Sequence, residues 1–348
     1  MIEFKKVIEK TVMVDPAGKL FEQIIEQRID PLTGNVASIN TFLGEKAKAF
    51  LGNSDMEIMN ELEAKTKENC PFCNVFEKGT KYVESFCQKG NFTLGNSVAM
   101  PNLFSKCTFD SVIIINYKNH TLFPKKIDVQ DFANSIMLAK EIIEKALLHD
   151  SELIHHILGM NFLNPGGSSV PHPHFQLHIR KVPYSGVNKL ISLSRMYSNS
   201  YGKNYWQSLY DEEKKSGERF ISEDGDVFWL SAFAPSHQRE IWGILKGKSS
   251  ILDIGKDDAE NFARGISKII SYYEEINNHP FTFAFYSSPD KKDKDYFWLQ
   301  VRICSRPAFK NLYSNYDTWF APKFVGDEAH TTAPEEYAKH LREKWNLL

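Results

Sequence analysis

Polar and apolar residues alternate strictly from His172 onward. His172, His174, Gln176 and His178 share one side, while Phe175, Leu177 and Ile179 share the other. That is the period of a strand. Pro173 confines such a strand to a sheet edge or to its first residues. The stretch before it, Asn164 to Pro171, is rich in Gly, Pro and Ser and reads as a turn. Between Asp128 and Leu148 the period lengthens to that of a helix, with a stripe of Phe132, Ile136, Ala139 and Ile143 behind Asp128 as cap. Val112–Asn116 and Leu158–Leu163 read as strands.

The second half runs through the same order. Phe228–Leu230 and Glu240–Leu245 read as strands, Asp257–Glu275 as a helix and Phe281–Tyr286 as a strand. A polar turn over Ser287–Asp295 then leads into a strand from Tyr296 to Arg302. The His174–Arg180 and Tyr296–Arg302 segments match when Phe175 is set on Phe297, Leu177 on Leu299 and Arg180 on Arg302. The chain therefore reads as an internal repeat whose second copy keeps the inward apolar face and lacks the histidines. Its halves are residues 1–185 and 186–348.

Composition narrows the class. A chain of 348 residues, 42% hydrophobic and 13% aromatic, can bury two domain-sized cores or one duplicated fold. A net charge of -2 argues against a nucleic-acid partner. The aliphatic run Val112–Ile115 is too short to cross a membrane, and Glu3, Lys5, Lys6, Glu9 and Lys10 do not make a signal peptide. Five cysteines cannot all pair, which suits a reducing cytoplasm. The expectation is a soluble cytoplasmic protein.

The chemistry concentrates where the alternation starts. Three imidazoles on one strand face follow a Gly166–Gly167–Ser168–Ser169 turn whose amides can hold an anion. Neutral imidazole is a nucleophile near pH 7 and can accept a phosphoryl or nucleotidyl group. Cys70-Pro-Phe-Cys73 is half a zinc site or a redox pair. Thr66–Asn69 offers no strand for the redox reading, and zinc needs two further ligands. His149, His155 and His156 read as capping or surface groups, and Cys87, Cys107 and Cys304 as small apolar residues.

Ser-x-x-His-Pro-His-x-Gln, as Ser169, His172, Pro173, His174 and Gln176, resembles the galactose-1-phosphate uridylyltransferase branch of the histidine-triad superfamily. The resemblance implies that His174 is a covalent nucleophile, that Gln176 steadies the phosphate with Ser169 beside it, and that His172 is a ligand of a structural zinc. The other zinc ligands would be Cys70, Cys73 and His120. It implies a duplicated α+β fold of antiparallel half-barrel sheets with helices packed outside, and the repeat predicts that the halves meet face to face. Arg28-Ile-Asp-Pro-Leu-Thr-Gly34 is similar to the family's opening segment, but the basic run that follows it there is reduced here to Lys46 and Lys48. This departure sets the usual phosphate contacts apart from this chain's.

Other substrate contacts would be Asn102 in the nucleoside-facing segment, Asn161, and the Gly166 and Gly167 amides. Lys323 and Glu328 would hold the acceptor, in a segment one residue shorter than the family's. Gln300 and Arg302 stand where the family carries histidines of a second metal site, so no iron-like site is expected. The implied reaction moves a nucleoside monophosphate from a nucleotide-sugar or dinucleotide to a sugar 1-phosphate or inorganic phosphate. A histidine-triad hydrolase and a zinc-stabilised nucleotide-binding protein are the alternatives, and a homodimer is an allowed assembly.

Overall fold

The computed structural model describes residues 2–44, 52–310 and 321–347. Its main sheet has ten strands in the order β4-β5-β6-β8-β7-β12-β13-β11-β10-β9. The first five are β4 (Phe92–Leu94), β5 (Ser97–Pro101), β6 (Phe109–Ile114), β7 (His155–Phe162) and β8 (His174–Arg180). The others are β9 (Phe220–Asp224), β10 (Val227–Ser231), β11 (Ile241–Leu245), β12 (Phe281–Tyr286) and β13 (Gln300–Ser305). Every pairing in this sheet is antiparallel. Two five-stranded runs of equivalent order therefore meet where β7 pairs with β12, Phe162 opposite Phe281. They join edge to edge in one sheet, not face to face as the repeat suggests.

One face of the sheet is covered by α2 (Val129–His149) and α5 (Lys256–Glu275), which share a core with Phe175, Leu177, Ile179, Phe283, Val301 and Ile303. The Asp128 carboxylate accepts from Gln130 N, and Phe132, Ile136, Ala139 and Ile143 are fully buried, so the helical stripe faces the sheet as the spacing requires. On the opposite face, α3 (Ser185–Tyr201) and α4 (Tyr205–Ser216) pack Leu190, Trp206 and Leu209 on Phe228, Trp242 and Trp298 of the second run. Over the first run the same face carries Cys70, Phe72 and Val75 against Val98, Met100, Val112 and Ile114.

A second sheet joins β1 (Lys5–Val14), β2 (Leu20–Ile29), β3 (Val36–Ile39) and β14 (Glu328–His330), with β14 parallel to β3. Strands from both ends of the chain thus share this sheet, and Phe4 packs against Phe233, ring centroids 4.8 Å apart and tilted by 45°, setting the N-terminal strands against the second run.

Two readings from the alternation change. Residues 291–295 form a 3₁₀ turn and β13 starts at Gln300, not Tyr296. In the first run Ile114 faces His174 and Val112 faces Gln176, while in the second Ile244 faces Gln300 and Trp242 faces Arg302. Likewise Gly159 faces Gln176 and Ala284 faces Arg302. His174 thus corresponds to Gln300 and Gln176 to Arg302, a shift of four residues from the match that set His174 on Tyr296. A period-2 pattern is unchanged by any even shift, so alternation fixes the face and leaves the register open. In addition, β8 is an interior strand, and Pro173 stands just before its first residue, where no ladder donor is needed.

Candidate functional site

The four presumed metal ligands come from three separate places and converge. Cys70 and Cys73 follow α1 (Met56–Lys67), His120 follows β6, and His172 precedes β8. Their ligand atoms all lie within 4.8 Å of one another, so the cluster could hold a metal ion. His172 Nδ1 is 3.5 Å from both Cys70 Sγ and Cys73 Sγ, and His120 Nδ1 is 3.7 Å from Cys73 Sγ.

The surroundings fix both imidazoles in the ligating orientation. His172 Nε2 lies 2.9 Å from the Asn116 carbonyl, which only accepts, so Nε2 carries the proton and Nδ1 is bare. Thr66 Oγ1 gives its proton to Leu62 O at 2.7 Å and receives His120 Nε2–H at 3.0 Å. Each histidine is thereby tied on its outer nitrogen, the arrangement expected around a metal. Burial drives the His172 imidazole down to about 4 and lowers that of His120, keeping both neutral. Burial, then the neighbouring Cys70, pushes the Cys73 thiol up to about 11. The half-buried Cys73 thiol is thus held in its protonated form, and a cation in the cluster would reverse that.

His174 lies two residues beyond His172 at the start of β8 and is 7% exposed. Its Nδ1 donates to the His172 carbonyl at 2.8 Å, so the Nε2 lone pair is left free. Burial lowers its pKa, with the His172 carbonyl pulling the other way. The ring is held edge-on by Phe72, centroids 5.0 Å apart at 74°. Sequence reasoning passed over Phe72, although its place between Cys70 and Cys73 was the signal that would have found it.

Gln176 follows on the same face, half-buried, beside Gly159 of β7. The same register carried two residues on sets Asn161 level with His174. The Gly turn lies past the end of β7. Gly167 has φ +92°, and a Cβ on Gly166 would stand 2.7 Å from Phe281 O, so the turn needs glycine at both positions. Ser169 is exposed on this turn, whereas Ser168 is buried with its hydroxyl on Val170 O at 2.8 Å.

Other expected residues are placed elsewhere. Asn102 sits at the end of β5, where Nδ2 donates to Asp110 Oδ1 at 3.1 Å and Oδ1 accepts from Phe104 N at 3.1 Å. Both ends of its amide hold that turn, beyond which Leu103 and Phe104 are exposed. Asp110 also faces His178, with 3.6 Å between Nε2 and Oδ1. Arg28 is bound bidentate by Glu335 of α6 (Pro334–Lys344), both contacts 2.9 Å, and so holds the two chain ends together. Lys323 is exposed and Glu328 buried on the segment leading into and through β14, on the four-stranded sheet. Lys46 and Lys48 lie outside the described residues. His156 is no surface group: it is 2% exposed, with Nε2 2.7 Å from Ser287 Oγ across the junction of the two runs.

No family model matches the chain. It is 28% identical to an uncharacterised protein of Archaeoglobus fulgidus over 349 residues, the full length of both. Among solved structures it is similar to a GalT-like protein from Arabidopsis thaliana, with a TM-score of 0.69 and 19% identity over 92% of this chain and 98% of that one. An ADP-glucose phosphorylase from Arabidopsis thaliana with bound ADP-glucose gives 0.71 and 17% over 92% and 99%. A uridylyltransferase variant gives 0.65 and 14% over 92% and 99%. With these likenesses, the chain has the α+β fold of these GalT-like, phosphorylase and uridylyltransferase structures.

Proposed function

We propose that the protein is a nucleotidyltransferase that works by double displacement through His174. The observation that carries this reading is the Nδ1 hydrogen bond to the His172 carbonyl, which points a lone pair outward from Nε2 at a buried, oriented ring. Nε2 attacks the α-phosphorus of a nucleotide-sugar or dinucleotide. The P–N bond forms as the bond to the leaving phosphate oxygen breaks, and that oxygen departs with the electron pair. A phosphate oxygen of a sugar 1-phosphate, or of inorganic phosphate, then attacks phosphorus, the P–N bond breaks and the lone pair returns to Nε2.

The ring becomes cationic in the covalent state, and the His172 carbonyl dipole stabilises it through Nδ1–H. Gln176 and the Gly166–Gly167 amides are suited to take the negative charge on the phosphoryl oxygens, with Ser169 and Asn161 beside them. Lys323 and Glu328 are proposed for the acceptor, Asn102 for the nucleoside side. The proposed halves are 1–185, carrying the nucleophile, and 186–348, shaping the acceptor side.

We assign zinc to the Cys70, Cys73, His120 and His172 cluster. Zn–S of about 2.3 Å and Zn–N of about 2.0–2.1 Å at tetrahedral angles place sulfur and nitrogen about 3.6 Å apart, against 3.5, 3.5 and 3.7 Å in the cluster. Four protein ligands leave no open position, so its role is structural: it anchors the residue whose carbonyl orients His174. A cytoplasmic location fits reduced thiols, and no helix among the described residues is long and apolar enough to cross a membrane.

Nucleotide-sugars and dinucleoside polyphosphates labelled at the α-phosphate test the reading. Label should be trapped on the chain, stable to base and released by mild acid, and His174→Ala should trap none while still binding nucleotide. Turnover by His174→Ala would refute the mechanism.

A further inference from the structure

A cavity of about 430 Å³ opens on the second run of the sheet, its walls including Lys189 of α3, His237, Glu240, Tyr286, Arg302 and Arg306. Its floor continues the row that carries Gln176: Gln176 neighbours Gly159, Gly159 neighbours Ala284, and Ala284 neighbours Arg302. Three strand spacings separate the ends, about 14 Å. The two residues between them have almost no side chain, so nothing in that row of the sheet walls the cavity off from Gln176.

The cavity is built for an anion. Among the described residues no carboxylate pairs with Lys189, Arg302 or Arg306. The one acidic wall residue, Glu240, is 2% exposed and already satisfied: Oε2 accepts from Ser236 N at 2.7 Å and His237 N at 3.1 Å, and Oε1 from Trp242 Nε1 at 2.5 Å. Three cations therefore face one committed carboxylate. Both guanidiniums are held by Nε, leaving their terminal forks free. Arg302 Nε donates to Gln300 Oε1 at 2.9 Å while its plane lies against Trp242, 4.0 Å from the centroid, and Tyr286, 4.8 Å away. Arg306 Nε donates to Pro165 O at 3.1 Å, in the Gly turn itself. A guanidinium fixed at Nε with its outer nitrogens open is pre-organised for bidentate phosphate recognition.

We propose that this cavity binds an anionic phosphate group distinct from the one transferred at His174. Neighbouring phosphorus atoms of a diphosphate lie only about 3 Å apart, far less than the three strand spacings to Arg302. The bound group is thus the far phosphate of an extended substrate or that of a separate phosphorylated molecule.

Calorimetric titration of the full chain with inorganic phosphate, at constant ionic strength against chloride, tests this without turnover. His174→Ala should bind phosphate as the unchanged chain does. Lys189→Ala, an exposed helix position that does not endanger folding, and Arg302→Gln should each weaken binding tenfold or more, with Arg302→Lys in between. No binding at millimolar phosphate, or binding by Lys189→Ala and Arg302→Gln as tight as that of the unchanged chain, overturns the proposal. So does loss of binding in His174→Ala, whereas failure of the covalent mechanism leaves it standing. In the His174→Ala background, a dinucleoside tetraphosphate that displaces inorganic phosphate and is weakened tenfold by Lys189→Ala, when a nucleoside monophosphate is not, identifies the far phosphate of the substrate. Simultaneous binding of both identifies a separate phosphorylated molecule.

Discussion

Thr66→Val tests the metal assignment at a residue that is not a ligand. The valine keeps the branched shape in α1 and deletes one oxygen. That oxygen accepts His120 Nε2–H at 3.0 Å, and His120 is 4% exposed, so the substitution leaves a buried donor without its partner. Losing such an outer-shell acceptor costs about 10–100-fold in metal affinity, or about 1.4–2.7 kcal/mol. An unsatisfied buried donor costs about 1–3 kcal/mol by an independent route, and the two agree. Replacing a ligand should cost more: with structural zinc worth about 10–16 kcal/mol in all, one of four ligands carries about 2.5–4 kcal/mol. Zinc affinity is measured by competition with a chromophoric chelator at fixed pH, and far-ultraviolet circular dichroism reports the fold. We expect one zinc per chain, a 10–100-fold loss for Thr66→Val and a larger one for Cys73→Ser. Wild-type affinity in Thr66→Val alongside metal loss in Cys73→Ser would show that His120 does not ligate through Nδ1. A metal-free chain of full stability would sink the zinc site altogether.

Gly166→Ala should destabilise the protein by about 1–3 kcal/mol, because its Cβ would press on the Phe281 carbonyl and disturb the Thr282 Oγ1 bond to Gly166 O, 3.0 Å long; an unchanged urea midpoint contradicts this. His156 makes a pH prediction. Burial holds it near 4 against 6.5 for the free side chain, so the unfolded chain takes up the proton first as pH falls. Its contribution is complete above pH 6.5 and is lost on going down to about 4, amounting to about 3 kcal/mol. His156→Gln can keep the Ser287 contact and should flatten urea stability across that window, so an identical pH slope rules the effect out. Phe72→Ala removes the edge contact on His174 without removing a zinc ligand. Turnover should fall about tenfold at unchanged zinc content, and full turnover would show that the ring does not position the nucleophile.

The parts of the fold legible in the sequence are those set by periodicity. Phe132, Ile136, Ala139 and Ile143 had to face a core, and Phe175, Leu177 and Ile179 had to oppose the histidines. Register was not legible, because Tyr296-Phe-Trp-Leu-Gln-Val-Arg alternates equally well two or four residues along. The junction was hidden too. Nothing in Leu158–Leu163 or Phe281–Tyr286 announces that they pair with each other, since a strand buried on one face looks the same at an edge or at the centre. Of the candidate site, the cluster of Cys70, Cys73, His120 and His172 could be named because the C-x-x-C pair is distinctive and the family resemblance of the motif supplied the two histidines. Its outer partners could not, because Asn116 acts through a backbone carbonyl and Thr66 through a hydroxyl that any helix could carry. His156 misled for a related reason: a histidine near a helix end has no sequence mark of burial.

The corrected register explains how two copies of one sheet came to differ. His172 stands two residues before His174, and the equivalent place before Gln300 is Trp298. In the first run the chain entering the strand is tied by side chains that converge as metal ligands. In the second run it is tied by aromatic packing, with Trp298 5% exposed, its Nε1 on Lys294 O at 3.1 Å and its ring near Phe228 in the cluster that α3 and α4 supply. Either device can hold a strand entrance. They differ in what they permit two residues later. A histidine ligand offers its backbone carbonyl to orient a second imidazole, whereas the tryptophan entrance is followed by Gln300, whose side chain oxygen takes Arg302 Nε. One run therefore presents a lone pair and the other a fixed positive charge, on the same face and joined by Gly159 and Ala284. On the functions proposed above, the nucleophile for phosphorus would then lie in one run and the seat for phosphate in the other.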